Sequence, residues 1–320
     1  MSEIIRIAWA TLGLVLSLAC AAAEPYPSKP IRIIVPFGPG SASDIIARTF
    51  GKYLQDQWKQ PIVVENRPGA NGVIGTEMLS NTTPDGYTLG FATNSTHAAA
   101  AYLFKELPYN PIEDFEHIGL FGVAGAVALV PTGSPFKSIP ELVAYSKANP
   151  GKVFFGYADT SSQIPAELLK ARGSLPIEGV QYKGIANALT DLIGGQIQFM
   201  FANYITSSGQ IRGGKLLPIA VTESERSPLW PEVPTVAETY PGYELHGFVA
   251  LVAPRGTPTE VVLKANQAMR NALADGAFKE HLMKMGITPK PLTSEEYRAF
   301  LLKETARWKE YIKAAKIQPQ

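Results

Sequence analysis

The sequence predicts an α/β protein of two domains, each a mostly parallel sheet flanked by helices. Strand-like and helix-like segments alternate along most of its 320 residues, the pattern of helices layered on a parallel sheet. That length exceeds what one hydrophobic core usually supports and suits two domains. Two apolar segments, residues 119–130 and 247–253, have the composition of strands that connect domains. The first domain would therefore be built from both ends of the chain.

The individual elements follow from hydrophobic periodicity. After the first strand, Ile46, Phe50, Tyr53 and Leu54 fall on one face, which is the spacing of an amphipathic helix. Strands are expected at residues 31–35, 62–65, 87–93, 127–130, 153–157, 180–182, 197–201 and 217–221. Further helices are expected at residues 72–79, 98–104, 140–147, 165–171, 185–193 and 206–212.

The chain becomes mainly helical after Pro258. Helices are expected at residues 261–274, 277–285 and 294–315. The last of these carries an apolar stripe that includes Tyr297, Leu301 and Trp308. Such a stripe predicts a helix that packs on a domain.

Residues 1–23 have the pattern of a secretory signal peptide. Arg6 precedes an uncharged stretch rich in Leu, Val and Ala, and the segment ends in an A-x-A-like cleavage site at Ala23. Cys20 is the only cysteine of the chain, so the mature protein would have neither disulfides nor thiol chemistry. Lipidation of Cys20 is an alternative, but the three preceding residues fit a lipobox poorly. A bacterial periplasm is the expected location.

Composition excludes several classes of function. The net charge is +1, which does not indicate a surface for nucleic acid. The four histidines, His97, His117, His246 and His281, lack the spacing of metal ligands. We therefore expect no metal, no cofactor and no nucleic-acid partner.

Residues 36–44, PFGPGSASD, join the first strand to the first helix. The turn approximates the dinucleotide fingerprint G-x-G-x-x-G, but Ser43 stands at the third glycine position and two prolines stiffen it. A helix start offers free N–H groups and a positive dipole end, so it can hold an anion without a basic side chain. Ser41 and Asp44 form a capping signature, and we expect the Ser41 N–H to face a ligand. From the residues alone, a plain capped turn and an anion site remain open alternatives.

Two more polar loops follow predicted strands and lead into helices, at residues 93–97 and 159–163. Ligands of open α/β sheets bind at the carboxyl ends of strands. Three such loops in one chain, all rich in small hydrogen-bond donors, favour a shared cleft for a small molecule.

Catalytic signatures are poor. The sequence has no G-x-S-x-G, no H-E-x-x-H and no C-x-x-C. Ser134 and Lys137 match S-x-x-K, but the accompanying S-D-N and K-T-G elements are missing. His97 has no accompanying nucleophile. We therefore expect no enzymatic activity.

Several long, ordered stretches resemble one family. They include PSKPIRIIVPFGPGSASD, VVENRPGANGVIGTE, TPDGYTLGFATNSTHA, LPYNPIEDF, YKGIANALTDLIGGQIQFMFAN, GGKLLPIAVT, PEVPTVAETYPGYE and APRGTP. The mature chain resembles the tripartite tricarboxylate transporter substrate-binding proteins, also called Bug receptors. This resemblance implies a periplasmic binding protein of the type II, Venus-flytrap architecture. Lobe 1 would comprise residues 24–123 and 248–320, and lobe 2 residues 124–247.

The resemblance also implies a pocket that holds a carboxylate through backbone N–H groups and small polar side chains. By position, lobe 1 would contribute Phe37, Gly40, Ser41, Ala42, Ser43, Asp44, Thr93, Asn94, Ser95 and His97. Lobe 2 would contribute Thr160, Ser161, Ser162, Gln163, Lys183, Gly184 and Asn203.

This sequence departs from the family pattern in two loops. In the first turn, Ser41 and Ala42 stand where the family usually has glycine and serine. The loop at residues 156–164 lacks the usual glycines and carries Gln163 where a histidine is expected. Tyr157 and Asp159 are then expected to face the cleft, and the family's ligand preference need not hold.

The function implied is capture of a small carboxylate for the membrane permease subunits of a tripartite transporter, by a monomeric receptor. The solute could be a dicarboxylate or tricarboxylate, an acidic amino acid or an aromatic acid. The alternatives are a ligand-sensing module for a membrane signalling protein and a periplasmic enzyme.

Overall fold

The computed structural model describes residues 25–227 and 229–319. The predicted signal peptide and Cys20 lie outside the described residues. The first part of the chain alternates strands and helices in the predicted order. Its elements are β1 (Ile31–Val35), α1 (Ala42–Trp58), β2 (Ile62–Asn66), α2 (Val73–Ser80), β3 (Thr88–Thr93), a π-helical turn (Asn94–Ala98), α3 (Ala100–Leu103) and β4 (Phe115–Pro131).

The middle of the chain continues the alternation and the end is helical. The elements are α4 (Ile139–Ala148), β5 (Phe154–Tyr157), α5 (Thr160–Gly173), β6 (Glu178–Gln181), α6 (Ile185–Ile193), β7 (Phe199–Asn203), α7 (Tyr204–Arg212) and β8 (Leu216–Val221). They are followed by β9 (His246–Pro254), α8 (Thr259–Ala274), α9 (Gly276–Lys284), β10 (Thr288–Pro289) and α10 (Ser294–Ala314).

The strands run in the order β2-β1-β3-β9-β4-β7-β5-β6. Parallel pairing occurs in the outer parts, where β1 pairs with β2 and β3, and β5 pairs with β6 and β7. The pairs made by β4 and β9 are antiparallel. The predicted α/β fold class, with parallel strands flanked by helices, is confirmed.

β4 belongs to two sheets. Its first part, through Gly125, pairs with β9, whereas its last part, from Ala126, pairs with β7 and β8. We call the strands β1, β2, β3, β9, β10 and the first part of β4 the first sheet. The last part of β4 with β5, β6, β7 and β8 is the second sheet. The chain therefore crosses from the first sheet to the second within β4 and crosses back before β9 begins. Both crossings lie close to the two predicted connecting segments. The exact lobe boundaries remain a prediction.

The helices cover these sheets with the apolar faces that the sequence predicted. Ile46, Phe50 and Leu54 on α1 are fully buried, and burial of each such side chain contributes about 1.5–3 kcal/mol. On α10, Trp308 lies in the core together with Tyr297 and Leu301. This last helix contacts β4, the strand that the two sheets share, and α5, which packs on β5 and β7 of the second sheet.

The predicted and observed elements differ mainly where tertiary contacts decide the geometry. The expected helix at residues 98–104 begins earlier, as the π-helical turn, and ends at Leu103. β10 has no counterpart in the prediction because two residues carry no periodic signal. Among the described helices, none is both long and apolar enough to cross a membrane.

Candidate functional site

A cavity of about 120 Å³ lies where the two sheets meet. Its polar wall consists of loops at the carboxyl ends of β1, β3, β5 and β7. Its apolar floor comes largely from β4 and β9. The polar lining residues are Ser41, Ser43, Thr93, Asn94, Ser95, Asp159, Ser161 and Asn203. The other lining residues are Phe37, Ala42, Gly122, Ala124, Gly125, Ala126, Ile205, Leu245, Gly247, Phe248, Val249, Met285 and Ile287.

The predicted capped turn forms at the start of α1. Ser41 is the N-cap, with φ −67° and ψ 160°, and its Oγ accepts a hydrogen bond of 3.3 Å from the Asp44 N–H. The Asp44 carboxylate in turn accepts a bond of 2.9 Å from the Gly40 N–H. The first bond uses a donor that a helix start would otherwise leave unpaired, and the second ties the Asp44 side chain back to the turn.

The sequence predicted that the Ser41 N–H of this turn would be free, but the free N–H groups belong to the next two residues. The Ser41 N–H donates to the Gly38 carbonyl at 3.2 Å, so the expectation that it faces a ligand is wrong. The N–H groups of Ala42 and Ser43 find no acceptor among the described residues. Both residues line the cavity, so two main-chain donors and the positive end of α1 face it.

Asp44 holds the turn together and does not line the cavity. Its carboxylate is 2.9 Å from Arg48 and accepts 2.9 Å bonds from Asn66 and from the Gly40 N–H. Burial alone would raise the pKa of Asp44, but these three partners lower it below its ordinary value. The carboxylate is therefore ionised and neutralised by Arg48, so it does not oppose an anion beside α1.

Replacing Asp44 with asparagine should lower the free energy of unfolding by about 1–3 kcal/mol at neutral pH, because several donors bind the ionised carboxylate. The folded pKa lies below the ordinary 3.8. The stabilisation is thus present above that value and is lost as the pH falls through the folded pKa. Urea unfolding of both proteins over a pH series measures this difference. A difference that persists unchanged in acid would contradict the role of the charge.

The loop after β3 places one side-chain donor deep in the cavity. Thr93 and Thr96 bond reciprocally and fix the π-helical turn. Asn94 is 5% exposed, and its Nδ2 has no hydrogen-bond partner among the described residues. A Cβ at Gly247 would lie 2.7 Å from the Asn94 Oδ1, so glycine at this position lets the amide lie against β9. An unpaired buried donor is costly, which points to an acceptor supplied by a ligand.

His97 is turned away from the cavity that its neighbours line. It is 1% exposed, its Nδ1 lies 2.9 Å from Thr96 Oγ1, and its ring centroid lies 4.7 Å from that of Phe115. It lines a separate depression together with residues such as Tyr109. Burial, with a smaller contribution from His117, lowers the pKa of His97 to about 3. The ring is therefore neutral, and a contact with a ligand in the cavity remains an unsupported prediction.

The loop after β5 repeats the capped helix start. Asp159 is the N-cap of α5, and its Oδ1 accepts a bond of 2.9 Å from the Ser162 N–H. The N–H groups of Thr160 and Ser161 find no acceptor among the described residues. Asp159 and Ser161 line the cavity. The Thr160 hydroxyl instead accepts a bond from the Asn71 amide, which ties the loop before α2 to the start of α5.

Asn203 provides the same kind of cap at the start of α7. Its Oδ1 accepts a bond of 3.2 Å from the Thr206 N–H, while its amide nitrogen donates to none of the described residues. Asn203 and Ile205 both line the cavity. Three helices, α1, α5 and α7, therefore direct their first turns at one cavity.

Several predicted site residues do not line the cavity. Gly40 and Lys183 are exposed, and Gly184 caps α6. The Ser162 side chain is committed to the cap of α5. Gln163 lines a different depression, next to the chain end. Tyr157 lies against Phe155, and burial raises its pKa. Ligand contacts by these residues remain predictions.

Sequence reasoning missed the floor of the cavity. The floor includes Gly122 and Gly125 on β4 and Gly247 on β9. The apolar composition of the predicted connecting segments was the available signal. Met285 and Ile287 had no such signal. They reach the cavity because β10 pairs with β4, where a Cβ at Gly122 would lie 2.3 Å from the Thr288 carbonyl oxygen.

The cavity wall is suited to an anion with an apolar body. Among the described residues, no lysine, arginine or histidine lines it. Its donors are main-chain N–H groups at helix starts and the amides of Asn94 and Asn203. Such donors bind carboxylates without a counter-charge. Elsewhere in the described residues, no group of three His, Cys, Asp or Glu side chains is placed to hold a metal ion.

Known proteins share both the sequence and the fold. The family model described as tripartite tricarboxylate transporter family receptor matches residues 46–317. Protein BugT of Bordetella pertussis is 35% identical over 309 residues, which cover 95% of this chain and 94% of that protein. The solved periplasmic binding protein BugD superposes with a TM-score of 0.84 at 31% identity, over 92% of this chain and all of BugD.

Two further solved structures carry ligands. A protein from R. palustris, solved with adipate, superposes with a TM-score of 0.88 at 29% identity and covers 92% of this chain and 100% of its own. MatC from Rhodopseudomonas palustris, solved with malate, has a TM-score of 0.82 at 29% identity and covers 90% and 100%. The resemblance seen in the sequence is thereby confirmed: the chain belongs to the family of tripartite tricarboxylate transporter receptors, also known as Bug proteins.

Proposed function

We propose that this protein is a periplasmic receptor that captures a small carboxylate and delivers it to the permease subunits of a tripartite tricarboxylate-type transporter. The observation that carries this proposal concerns the described residues: hydrogen-bond donors without partners converge there on one cavity that no basic side chain lines. The N–H groups of Ala42 and Ser43 and the buried amide of Asn94 are its main elements. The relatives solved with adipate and malate support a carboxylate as the ligand class.

Capture requires that every charge taken from water is matched by donors, because an unpaired buried charge is costly. The ligand carboxylate would accept bonds from the start of α1 and from Asn94. The loops of the second sheet would then close over it, with the strands β4 and β9 as the hinge. The bond between Asn71 and Thr160 is available to hold the two sides together. In this mechanism the monomeric receptor, exported with its signal peptide removed near Ala23, does no chemistry on the solute.

A thermal-shift screen tests this function. The panel contains monocarboxylates, dicarboxylates, tricarboxylates, acidic amino acids and aromatic acids. A ligand at 100 times its dissociation constant should add about 2.7 kcal/mol to the free energy of unfolding, and the melting temperature rises accordingly. If no carboxylate raises the melting temperature, the proposal is wrong. Product formation from a bound solute would contradict the receptor role and favour an enzyme.

A further inference from the structure

Asp159 is an ionisable side chain on the cavity wall. Its Oδ1 accepts three bonds, from the Ser161 hydroxyl at 2.8 Å, the Ser162 N–H at 2.9 Å and the Ser162 hydroxyl at 2.8 Å. Its Oδ2 accepts none from the described residues. Asp159 also takes part in none of the ion pairs among the described residues, in which N and O lie within 4.0 Å. One carboxylate oxygen is thus left as an unused acceptor.

The two capped helix starts consequently differ in charge. At α1, Asp44 is 3% exposed and its carboxylate is neutralised by Arg48, so the positive end of the helix acts on the cavity without an opposing charge. At α5, the Asp159 carboxylate forms no ion pair with the residues that the structure describes, so its negative charge offsets the positive end of the helix toward the cavity. Asn94, whose buried Nδ2 has no partner in the described part of the chain, lies on the wall as well. Donors therefore dominate at α1 and Asn94, whereas an acceptor is present at α5.

We propose that Asp159 is a specificity-determining residue, which selects a solute with one carboxylate at the α1 end and a hydrogen-bond donor, preferably an ammonium group, at the α5 end. This inference rests on the proposed function. A second carboxylate at the α5 end would meet Asp159 as a like charge, and like charges brought together at a binding interface are strongly disfavoured. An ammonium or hydroxyl group would instead supply the missing partner of Oδ2.

The rest of the cavity suits the aliphatic body of such a solute. Ile205, Leu245 and Phe248 line it together with Met285 and Ile287. All five are apolar and at least partly buried. Within the described residues, this floor offers no basic side chain to a second charged group.

Asp159→Asn tests the assignment, because asparagine also caps helices well and removes only the charge. The probes are two series of matched length: butanoate, succinate and 4-aminobutanoate, then hexanoate, adipate and 6-aminohexanoate. Calorimetry gives each dissociation constant. The wild type should bind the amino acid of the matching length about tenfold or more tightly than the diacid. The ratio of these two affinities should fall about tenfold in Asp159→Asn, mainly through tighter diacid binding.

Asp275→Asn is the matched control, since Asp275 caps α9 by the same bond, to the Phe278 N–H at 2.9 Å, and does not line the cavity. It should leave the ratio unchanged. If carboxylates bind but the ratio of amino-acid to diacid affinity is the same in wild type and Asp159→Asn, the specificity role is wrong. The proposed function is then intact. A wild type that prefers the diacid also overturns it. Absence of binding by every carboxylate, including those of the wider panel, overturns both proposals.

Discussion

Replacing Trp308 with alanine should lower the free energy of unfolding by about 3–5 kcal/mol, the usual cost of removing a large aromatic side chain from a core. Trp308 is fully buried on α10 and meets Tyr311 edge-on at 5.8 Å between ring centroids. Its helix packs against β4 and α5, so the cavity left behind would loosen contacts to both sheets. Equilibrium unfolding in urea, followed by circular dichroism, measures the loss.

Lys303→Ala provides the control on the same helix. Lys303 is exposed, and a surface change of this kind is usually within 0.5 kcal/mol of neutral. A loss below about 1 kcal/mol for Trp308→Ala would contradict the packing of α10 described above. If both variants lose the same free energy of unfolding, the effect comes from any substitution on this helix and not from the loss of a core side chain.

The backbone framework could be predicted because its causes are local. β1 and the apolar face of α1 follow from residues close together in sequence, and Ser41 caps α1 as its S-x-x-D signature indicates. The apolar stripe of α10 likewise predicted Trp308 as a core residue. The two long connecting strands were visible as uninterrupted apolar runs.

The direction of individual groups in the site could not be predicted, because neighbours distant in sequence decide it. Ser41 was expected to offer its N–H to a ligand, but the turn closes on Gly38. His97 follows three residues that line the cavity, yet the π-helical turn points it at Phe115. Met285 and Ile287 reach the floor only because β10 pairs with β4. None of these contacts leaves a periodic or motif signal in the sequence.

Replacing Ala42 with proline should weaken carboxylate binding roughly 10- to 100-fold, the effect of losing one hydrogen bond to a charged group. Ala42 is the first residue of α1, and its N–H has no acceptor among the described residues. Proline is well tolerated at this helix position, where the missing N–H costs the fold nothing. The φ and ψ of Ser41, −67° and 160°, also suit a residue that precedes proline. The loss should therefore appear in binding and not in stability.

Calorimetry with the best carboxylate of the thermal-shift panel measures the affinity, and urea unfolding measures the fold. Gly276→Pro is the matched control because Gly276 opens α9, follows a residue with φ −67° and ψ 124°, and has free space around it. It should bind like the wild type. If Ala42→Pro is folded and its affinity is unchanged, the Ala42 N–H does not hold the carboxylate. The donors would then have to come from the Ser43 N–H, Asn94, α5 or α7. A carboxylate held at α5 would reverse the polarity assigned to the cavity.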